Sequence, residues 1–507
     1  MRGARRRAAR AALGKTMLHQ NVSDTVHIED AVSVTAGGKR PLYAKRIAIH
    51  PKRVSGFFRR LKWTALVVLL GIYYTVPWIR WDRGPGIPDQ AVLVDLPARR
   101  AYFFFIEIWP QEVYYITGIL ILMAFGLFFV TALGGRLWCG YACPQTVWTD
   151  LYMLVERWIE GDRNAQMKLD ASPMTLDKAL KRGSKHLIWI VIAMLTGGAW
   201  VLYFTDAPTV IRQIFTLQAS FAVWATIGLL TFTTYLLAGW AREQVCTYMC
   251  PYARFQSAMF DEHTLIVTYQ QWRGEPRGRH KKGQSWEGRG HCVDCNQCVA
   301  VCPTGIDIRD GQQLECIGCG LCMDACDTVM DKVGLPRGLI TLDTESNQEA
   351  RAAGVPPRYR FVRPRTLIYG GLLAAVGSVM LYSLATRADF SLNVIHDRSP
   401  LYVMLSDGTL RNAYTVKILN KRHAESSFAL TAEGIEGADL RVVSSDERRA
   451  ARLVLEAEPD TVTPYRVLVH AGRSALERAS TPLTFVLSDE TTGERVTYNS
   501  VFIAPSQ

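Results

Sequence analysis

Two short cysteine runs limit what this chain can become more than any other feature: CVDCNQCVAVCP, starting at Cys292, and CIGCGLCMDAC, starting at Cys316. Each has the spacing Cys-x2-Cys-x2-Cys-x3-Cys of bacterial two-cluster ferredoxins. Tight turns at that spacing let three thiolates of one loop grip three corners of a cubane, while the fourth cysteine reaches across to the other cluster. Carried over residue by residue, Cys292, Cys295, Cys298 and Cys326 hold one [4Fe-4S] cluster, and Cys316, Cys319, Cys322 and Cys302 hold the other. Pro303 follows its cysteine as the pattern expects, whereas Asp327 stands where the second proline would be. A zinc module is the competing reading, but it pairs two short hairpins and does not need two four-cysteine runs.

The remaining four of the twelve cysteines lie in a repeated motif, CGYACP at Cys139 to Pro144 and CTYMCP at Cys246 to Pro251, each following an apolar run. Apolar residues make up 49% of the chain while mean hydropathy is only +0.05, so hydrophobicity is concentrated in segments. Five runs approach or exceed the ~20 residues that cross a ~30 Å hydrocarbon core: Trp63 to Ile79, Val113 to Gly134, Leu187 to Phe204, Ile214 to Trp240 and Thr366 to Ala385. The first is flanked by Arg59, Arg60 and Lys62 before it and by Trp78 and Trp81 after it, as interface anchors would be.

Lys and Arg crowd the N-terminal segment and the connections from Arg136 to His186 and from Arg242 to Arg365, but not those from Trp81 to Glu112 or from Thr205 to Gln213. The positive-inside rule therefore predicts a cytoplasmic N-terminus, cytoplasmic Cys-x3-Cys-Pro pairs and, after five crossings, an outside C-terminus. A cytoplasmic setting also argues against a disulfide framework. The net charge of +12 reads as topology, and no nucleic-acid-binding module accompanies it. The Arg-rich start, MRGARRRAARAALGK, reads as a disordered basic arm and not as a cleaved signal peptide.

In a helix, Cys-x3-Cys places two thiols on one face, and the following proline ends or restarts the helix beyond the second sulfur. Duplication suggests two copies of a two-helix unit, whose Cys139, Cys143, Cys246 and Cys250 would meet at the cytoplasmic membrane surface. A soft-metal site suited to copper(I), a dithiol redox pair, a zinc site and inert buried cysteines are the readings open for them.

The stretch LWCGYACPQTVWTDLYMLVERWIEGDRNAQMKLD (Leu137 to Asp170), WPQE at Trp109 to Glu112, the ferredoxin block and IHDRSPLYVMLSDGTLRNAYTVKILNK (Ile395 to Lys421) closely resemble the cytochrome c oxidase accessory family known as CcoG, FixG or RdxA. The resemblance covers almost the whole chain. It implies a bacterial inner-membrane protein that reduces copper(II) to copper(I) for the copper centre of cbb3-type oxidases, with Cys139, Cys143, Cys246 and Cys250 as the copper site. It also implies oxidase subunits or a copper chaperone or transporter as partners, and a cytoplasmic electron donor; a homodimer is compatible with it. Thiolates favour copper(I) over copper(II), so binding there makes reduction by a cubane downhill. The alternatives are a quinol-linked electron-transfer subunit, similar to the membrane component of periplasmic nitrate reductase, and a non-enzymatic assembly or copper-binding factor.

The expected architecture is thus a multi-domain membrane protein. A basic segment spans residues 1–62, a four-helix membrane core 63–250, a two-cluster ferredoxin-like domain 251–365, a fifth membrane helix 366–386 and an all-β immunoglobulin-like domain 387–507. The last rests on the alternating runs YTVKIL, FALTA, LRVVS, ARLVLEA, YRVLVH, LTFVLS and VTYNSVFI, separated by turn signals. It is expected outside the membrane, as a docking module or a stabilising cap. His396, His423 and His470 are scattered along it and read as ordinary histidines. Glu107 and Glu112, in AYFFFIEIWPQEVYY, read as part of an aromatic interface belt in preference to a quinone contact. Glu156 and Glu160 are expected on a solvated helix face.

Overall fold

The structure is a computed structural model that describes residues 27–31, 33, 48–84, 86–280, 285–443, 449–476 and 478–505; the basic arm falls outside them. The chain divides into two compact units, Met1–Met380 and Leu381–Gln507.

Among the described residues five helical segments are long and apolar enough to cross a membrane: Phe57–Trp78, Pro110–Gly134, Leu176–Val201, Phe221–Ala241 and Pro364–Ala385. Helix α1 (Phe57–Thr75) opens on Gly56, which has no side chain to cap it. The cap comes from far along the chain, where the Asp324 carboxylate accepts from the Phe58 and Arg59 backbone N–H groups at 3.2 and 2.7 Å. That borrowed cap lets α1 begin six residues before the expected Trp63. A small sheet, β1 (Val92–Asp95), β2 (Arg100–Phe103) and β3 (Ile106–Ile108), precedes helix α2 (Tyr114–Gly134).

Helices α3 (Pro144–Ile159) and α4 (Arg163–Ala171) lead to α5 (Leu176–Val201). Helix α5 starts eleven residues before the expected Leu187, because the Thr175 side chain caps it and its early charged turns are held by neighbours. The expected run from Ile214 to Trp240 is interrupted. Helix α6 (Ala207–Phe215), capped by Asp206, ends before Leu217 turns left-handed at φ 57°, and Ser220 caps a new helix, α7 (Phe221–Thr234). Helices α5 and α7 approach so closely that a Cβ on Gly197 would meet Ile227 O at 2.9 Å.

Helix α8 (Pro251–Met259) leads into the cysteine-rich region, which is closed by the antiparallel pair β4 (Ile266–Tyr269) and β5 (Ile340–Asp343). Both cysteine runs bend identically: the second and fourth residues after the first cysteine are left-handed. Asp294 and Asn296 take those positions in one run (φ 51° and 56°), Gly318 and Gly320 in the other (φ 68° and 72°). These are residue types that tolerate positive φ. Helix α9 (Leu321–Val333) runs unbroken past Cys326. Asp327 permits this, since a proline there would remove an interior helix bond; its carboxylate instead accepts from Gly338 N at 2.8 Å. Helix α10 (Pro364–Ala385) completes the spanning set.

The described residues of the second unit form a sandwich of nine strands. One sheet has the order β10 (Asp439–Val442), β12 (Thr461–Gly472), β8 (Thr409–Asn420), β6 (Phe390–His396), with the short β7 (Val403–Met404) also on β8. The other has the order β11 (Arg452–Ala457), β9 (Ser426–Glu433), β13 (Ser480–Asp489), β14 (Arg495–Ile503). All seven alternating runs are strands, and β6 and β7 are additions. Buried Phe390, Tyr414, Phe428, Phe485 and Phe502 fill the space between the sheets, and Tyr414 Oη donates to Val501 O at 2.7 Å.

Candidate functional site

The two Cys-x3-Cys-Pro motifs have the same backbone. Four residues before each first cysteine the chain leaves its helix through a left-handed residue, Gly135 (φ 60°, ψ −121°) and Arg242 (φ 42°, ψ −114°). Each motif is then a π-turn and not the α-turn expected from the spacing: Cys143 N donates to Trp138 O at 2.8 Å and Cys250 N to Val245 O at 2.7 Å. Such wide turns recur at functional sites. The second cysteine of each pair is extended and becomes the N-cap of the helix opened by the next proline, α3 or α8.

All twelve cysteines are free thiols. Cys139, Cys143, Cys246 and Cys250 share one region and are half-buried. Burial, reinforced by the neighbouring thiols, pushes Cys139 up to about 12 and Cys246 to about 11. Cys139 Sγ donates to Gln256 Oε1 at 3.2 Å, and Gln256 is fully buried. Among the described residues no three of the four sulfurs lie within 4.8 Å of one another.

The other eight cysteines separate into two sets. Cys292, Cys295, Cys298 and Cys326 line one cavity; Cys302, Cys316, Cys319 and Cys322 line a second, which Cys298 also borders. Burial pushes Cys316 up to about 12 and Cys322 and Cys326 far above the ordinary thiol value. Thiols this buried ionise only where a bound cation compensates, as iron does in a cluster. The donor sets therefore fit two cubanes. Arg309, buried and bonded to Asp294, Asn296 and Asp307, lines the first cavity.

The membrane-end thiols and the second cavity are in contact. Cys139 and Cys246, the first cysteine of each motif, pack against the same apolar cluster as Ile317, Cys319 and Cys322. Tyr141 Oη donates to Cys319 O at 2.9 Å, and Arg136 donates to the Leu314 and Cys316 carbonyls from Nη1 and to Ala253 O from Nη2. On the other flank, a cavity of about 30 Å³ lies between Cys246, Lys62, Pro303 and Thr304, with room for about one water.

Spacing does not point to Arg136, Tyr141, Gln256 or Lys62; their one sequence signal is nearness to a motif or to a membrane end. One expectation is corrected. Glu156 and Glu160 are not on a solvated face: they are buried, Glu156 pairs with Arg242 and with Lys185 at 3.4 Å, and Glu160 pairs with Lys185 at 2.9 Å. Burial opposes ionisation of Glu156, but Arg242 and Lys185 hold its carboxyl below the usual range. Glu107 and Glu112 are buried too, Glu112 accepting from Trp109 N at 3.2 Å, while Phe105 and Tyr114 supply the exposed aromatics.

Comparison with known proteins gives the same picture. Residues 241–345 match the 4Fe-4S dicluster domain family, residues 116–161 a 4Fe-4S binding domain family, and residues 380–505 the Ig-like fold found at the C-terminus of FixG. The nitrogen fixation protein FixG of Rhizobium meliloti is 50% identical over 96% of this chain and 99% of its own length. Proteins RdxB and RdxA of Cereibacter sphaeroides are 50% and 51% identical, over 91% and 78% of this chain and 97% and 84% of theirs. The chain therefore belongs to the FixG/RdxA family and is a membrane-bound iron-sulfur electron-transfer protein.

Proposed function

We propose that this protein is a cupric reductase, which reduces copper(II) to copper(I) at Cys139, Cys143, Cys246 and Cys250 and supplies the product to the copper centre of a cbb3-type oxidase. Two [4Fe-4S] clusters, on Cys292, Cys295, Cys298, Cys326 and on Cys302, Cys316, Cys319, Cys322, supply one-electron chemistry when bound. The observation that carries the reading is that Cys139 and Cys246 pack against the apolar cluster containing Ile317 and Cys319, against which Cys322 also packs. That shared packing supports the second set as the one nearer the thiols.

The remaining steps belong to the chain's own side chains. Copper(II) is the substrate; it takes one electron and leaves as copper(I), the ion that soft sulfur ligands favour. Thiols held as weak acids by burial lose their protons as copper binds. Gln256 Oε1 is placed to hold Cys139 Sγ in register during that exchange. The charge bias puts the thiols and the iron-sulfur domain on the cytoplasmic side and residues 387–507 on the periplasmic side, where the sandwich would meet an oxidase subunit or copper carrier.

The test mixes anaerobically pre-reduced full-length protein with copper(II) and follows copper(I) with a specific chelator. Wild type should turn over, and a variant with all four thiols changed to Ser, its iron content intact, should lose at least nine-tenths of the rate, roughly a 1.4 kcal/mol effect on the barrier. Equal rates would mean that the clusters reduce copper without a site, and the assignment of the thiols would fall.

A further inference from the structure

A cleft of about 740 Å³ opens at the start of the first membrane span. It is separate from the thiols, and nothing in the proposed reaction uses it. Arg53, Arg59, Arg60 and Arg157 line it together with Trp63 and Trp158.

Its charge is unbalanced. Asp150 is shared by Arg59 Nη1 (2.9 Å) and Lys62 Nζ (3.7 Å), and Asp162 Oδ1 accepts from Arg53 N at 2.9 Å, so two carboxylates stand against five cations. The second guanidinium nitrogen of Arg59, Nη2, is buried without a hydrogen-bond partner among the described residues, on a side chain only 7% exposed. Arg157 adds a further cation, pressed by burial and by the charge of Arg59 and partly compensated by Asp150, Asp162 and Glu156, and Arg53 and Arg60 are exposed. Planar guanidinium groups that outnumber the carboxylates beside them are the chemistry that grips a phosphate oxygen pair.

The wall is apolar on one side. Leu154 and Trp158 are 40% and 78% exposed beside the arginines, and the Arg59 guanidinium lies 4.3 Å over the Trp63 ring. Indoles favour the headgroup depth of a bilayer, and the cleft adjoins the end of a spanning helix. A soluble phosphate would leave Leu154 and Trp158 uncovered, and a zwitterionic lipid would bring an ammonium in among four arginines. We propose that the cleft binds the phosphate of an anionic phospholipid, held by Arg59, Arg60 and Arg157, with its acyl chains against Leu154 and Trp158.

The test uses delipidated full-length protein in detergent, with phosphatidylglycerol, cardiolipin, phosphatidylethanolamine or inorganic phosphate added at matched concentrations. It reads lipid adducts by native mass spectrometry and the shift in thermal unfolding. One anionic lipid per chain should be retained and should raise the unfolding temperature, with phosphatidylethanolamine giving neither. The double variant Arg60→Gln/Arg157→Gln should bind about tenfold more weakly, with its iron content unchanged. Should that variant lose its iron, the exposed pair Arg53→Gln/Arg60→Gln carries the same prediction. Equal adducts in wild type and the iron-retaining variant, or equal binding of phosphatidylethanolamine, would overturn the proposal. Inorganic phosphate reproducing the whole shift would overturn the lipid as its source.

Discussion

Gly140 lies flat against Cys319: a Cβ on Gly140 would stand 3.1 Å from Cys319 Cα and from Ile317 O, and 3.2 Å from Gly318 C. Every atom it would meet is backbone, in the loop that carries Cys316 and Cys319, so nothing can rotate away. Gly140→Ala should therefore displace that loop by a few tenths of an ångström and perturb the electron paramagnetic resonance signal of one cluster. Gly140→Val should cost that cluster, with iron falling from about eight toward about four per chain. If Gly140→Val keeps both signals unchanged, the contact does not constrain the loop.

Tyr141 gives a gentler probe of the same junction. Its hydroxyl donates to the main-chain carbonyl of Cys319, and a donor dipole beside the backbone of a ligating residue stabilises the reduced state. Tyr141→Phe removes the dipole without changing the shape. A hydrogen bond worth about 0.5–1.5 kcal/mol corresponds to roughly 20–60 mV for one electron. The expected outcome is a fall of that size in one midpoint potential during a redox titration, the other staying fixed. Both potentials moving together would place Tyr141 outside the second cluster's surroundings.

The division of the cysteines can be checked one residue at a time. Cys326 lines a cavity with the first run although it is ten residues beyond the start of the second, and Cys302 does the converse. Cys326→Ser should then impair the cluster of the first run, and Cys316→Ser that of the second, seen as loss of different resonance signals. Identical residual spectra from the two variants would contradict the split.

Local features carried the parts of this structure that could be read in advance. Seven strands and both cysteine loops announce themselves through alternation, spacing and residues that tolerate positive φ, all short-range properties. The ends of α1 and α5 are less legible, because tertiary partners hold their early turns: Asp324 for α1, and for α5, beyond its Thr175 cap, the pairing of Arg182 and Lys185 with Glu160. Glu156 illustrates the same limit. Its helix periodicity is that of a solvated amphipathic face, and only the arrival of Arg242 from a distant turn makes burial tolerable. The thiol motifs were legible as a repeat, but the π-turn was not, since i and i+4 spacing reads the same in either helix.

Arg242 holds a conformation that its type disfavours, and comparison of two substitutions isolates the cost. Its φ of 42° is the counterpart of Gly135 in the other motif, while its side chain pairs with Glu156 and donates to Gly239 O at 2.8 Å. Arg242→Ala and Arg242→Gly both leave Glu156 short of a cation, a loss on the order of 3 kcal/mol. Glycine relieves the backbone and alanine does not, so Arg242→Gly should be the more stable of the two by about 1 kcal/mol. That reverses the usual helix ranking, and thermal unfolding in detergent measures it. Alanine equalling or exceeding glycine would show that the turn relaxes.

His470 makes the sandwich sensitive to mild acid. It is 5% exposed, and burial, with Arg449, Arg411 and Arg441 outweighing the single carboxylate Asp407, pushes it down to about 4. Below its ordinary value near 6.5 the unfolded chain binds a proton that the folded one refuses, so stability is full above pH 6.5 and is lost as pH falls toward 4. The loss should be about 1 kcal/mol at pH 5.5 and about 2–3 kcal/mol at pH 4.5. Asp489, held down to about 2 by its bonds to Thr492, Thr491 and Arg422, acts in a separate window, losing its contribution only below its ordinary value near 3.8. His396 is also lowered by burial and shares part of the dependence. Urea unfolding of residues 387–507, which carry their own closed core, at pH 7.5, 5.5 and 4.5 should show the slope, and His470→Gln should remove most of it. A wild-type stability that is flat from pH 7.5 to 4.5 would mean that His470 reaches solvent as it protonates.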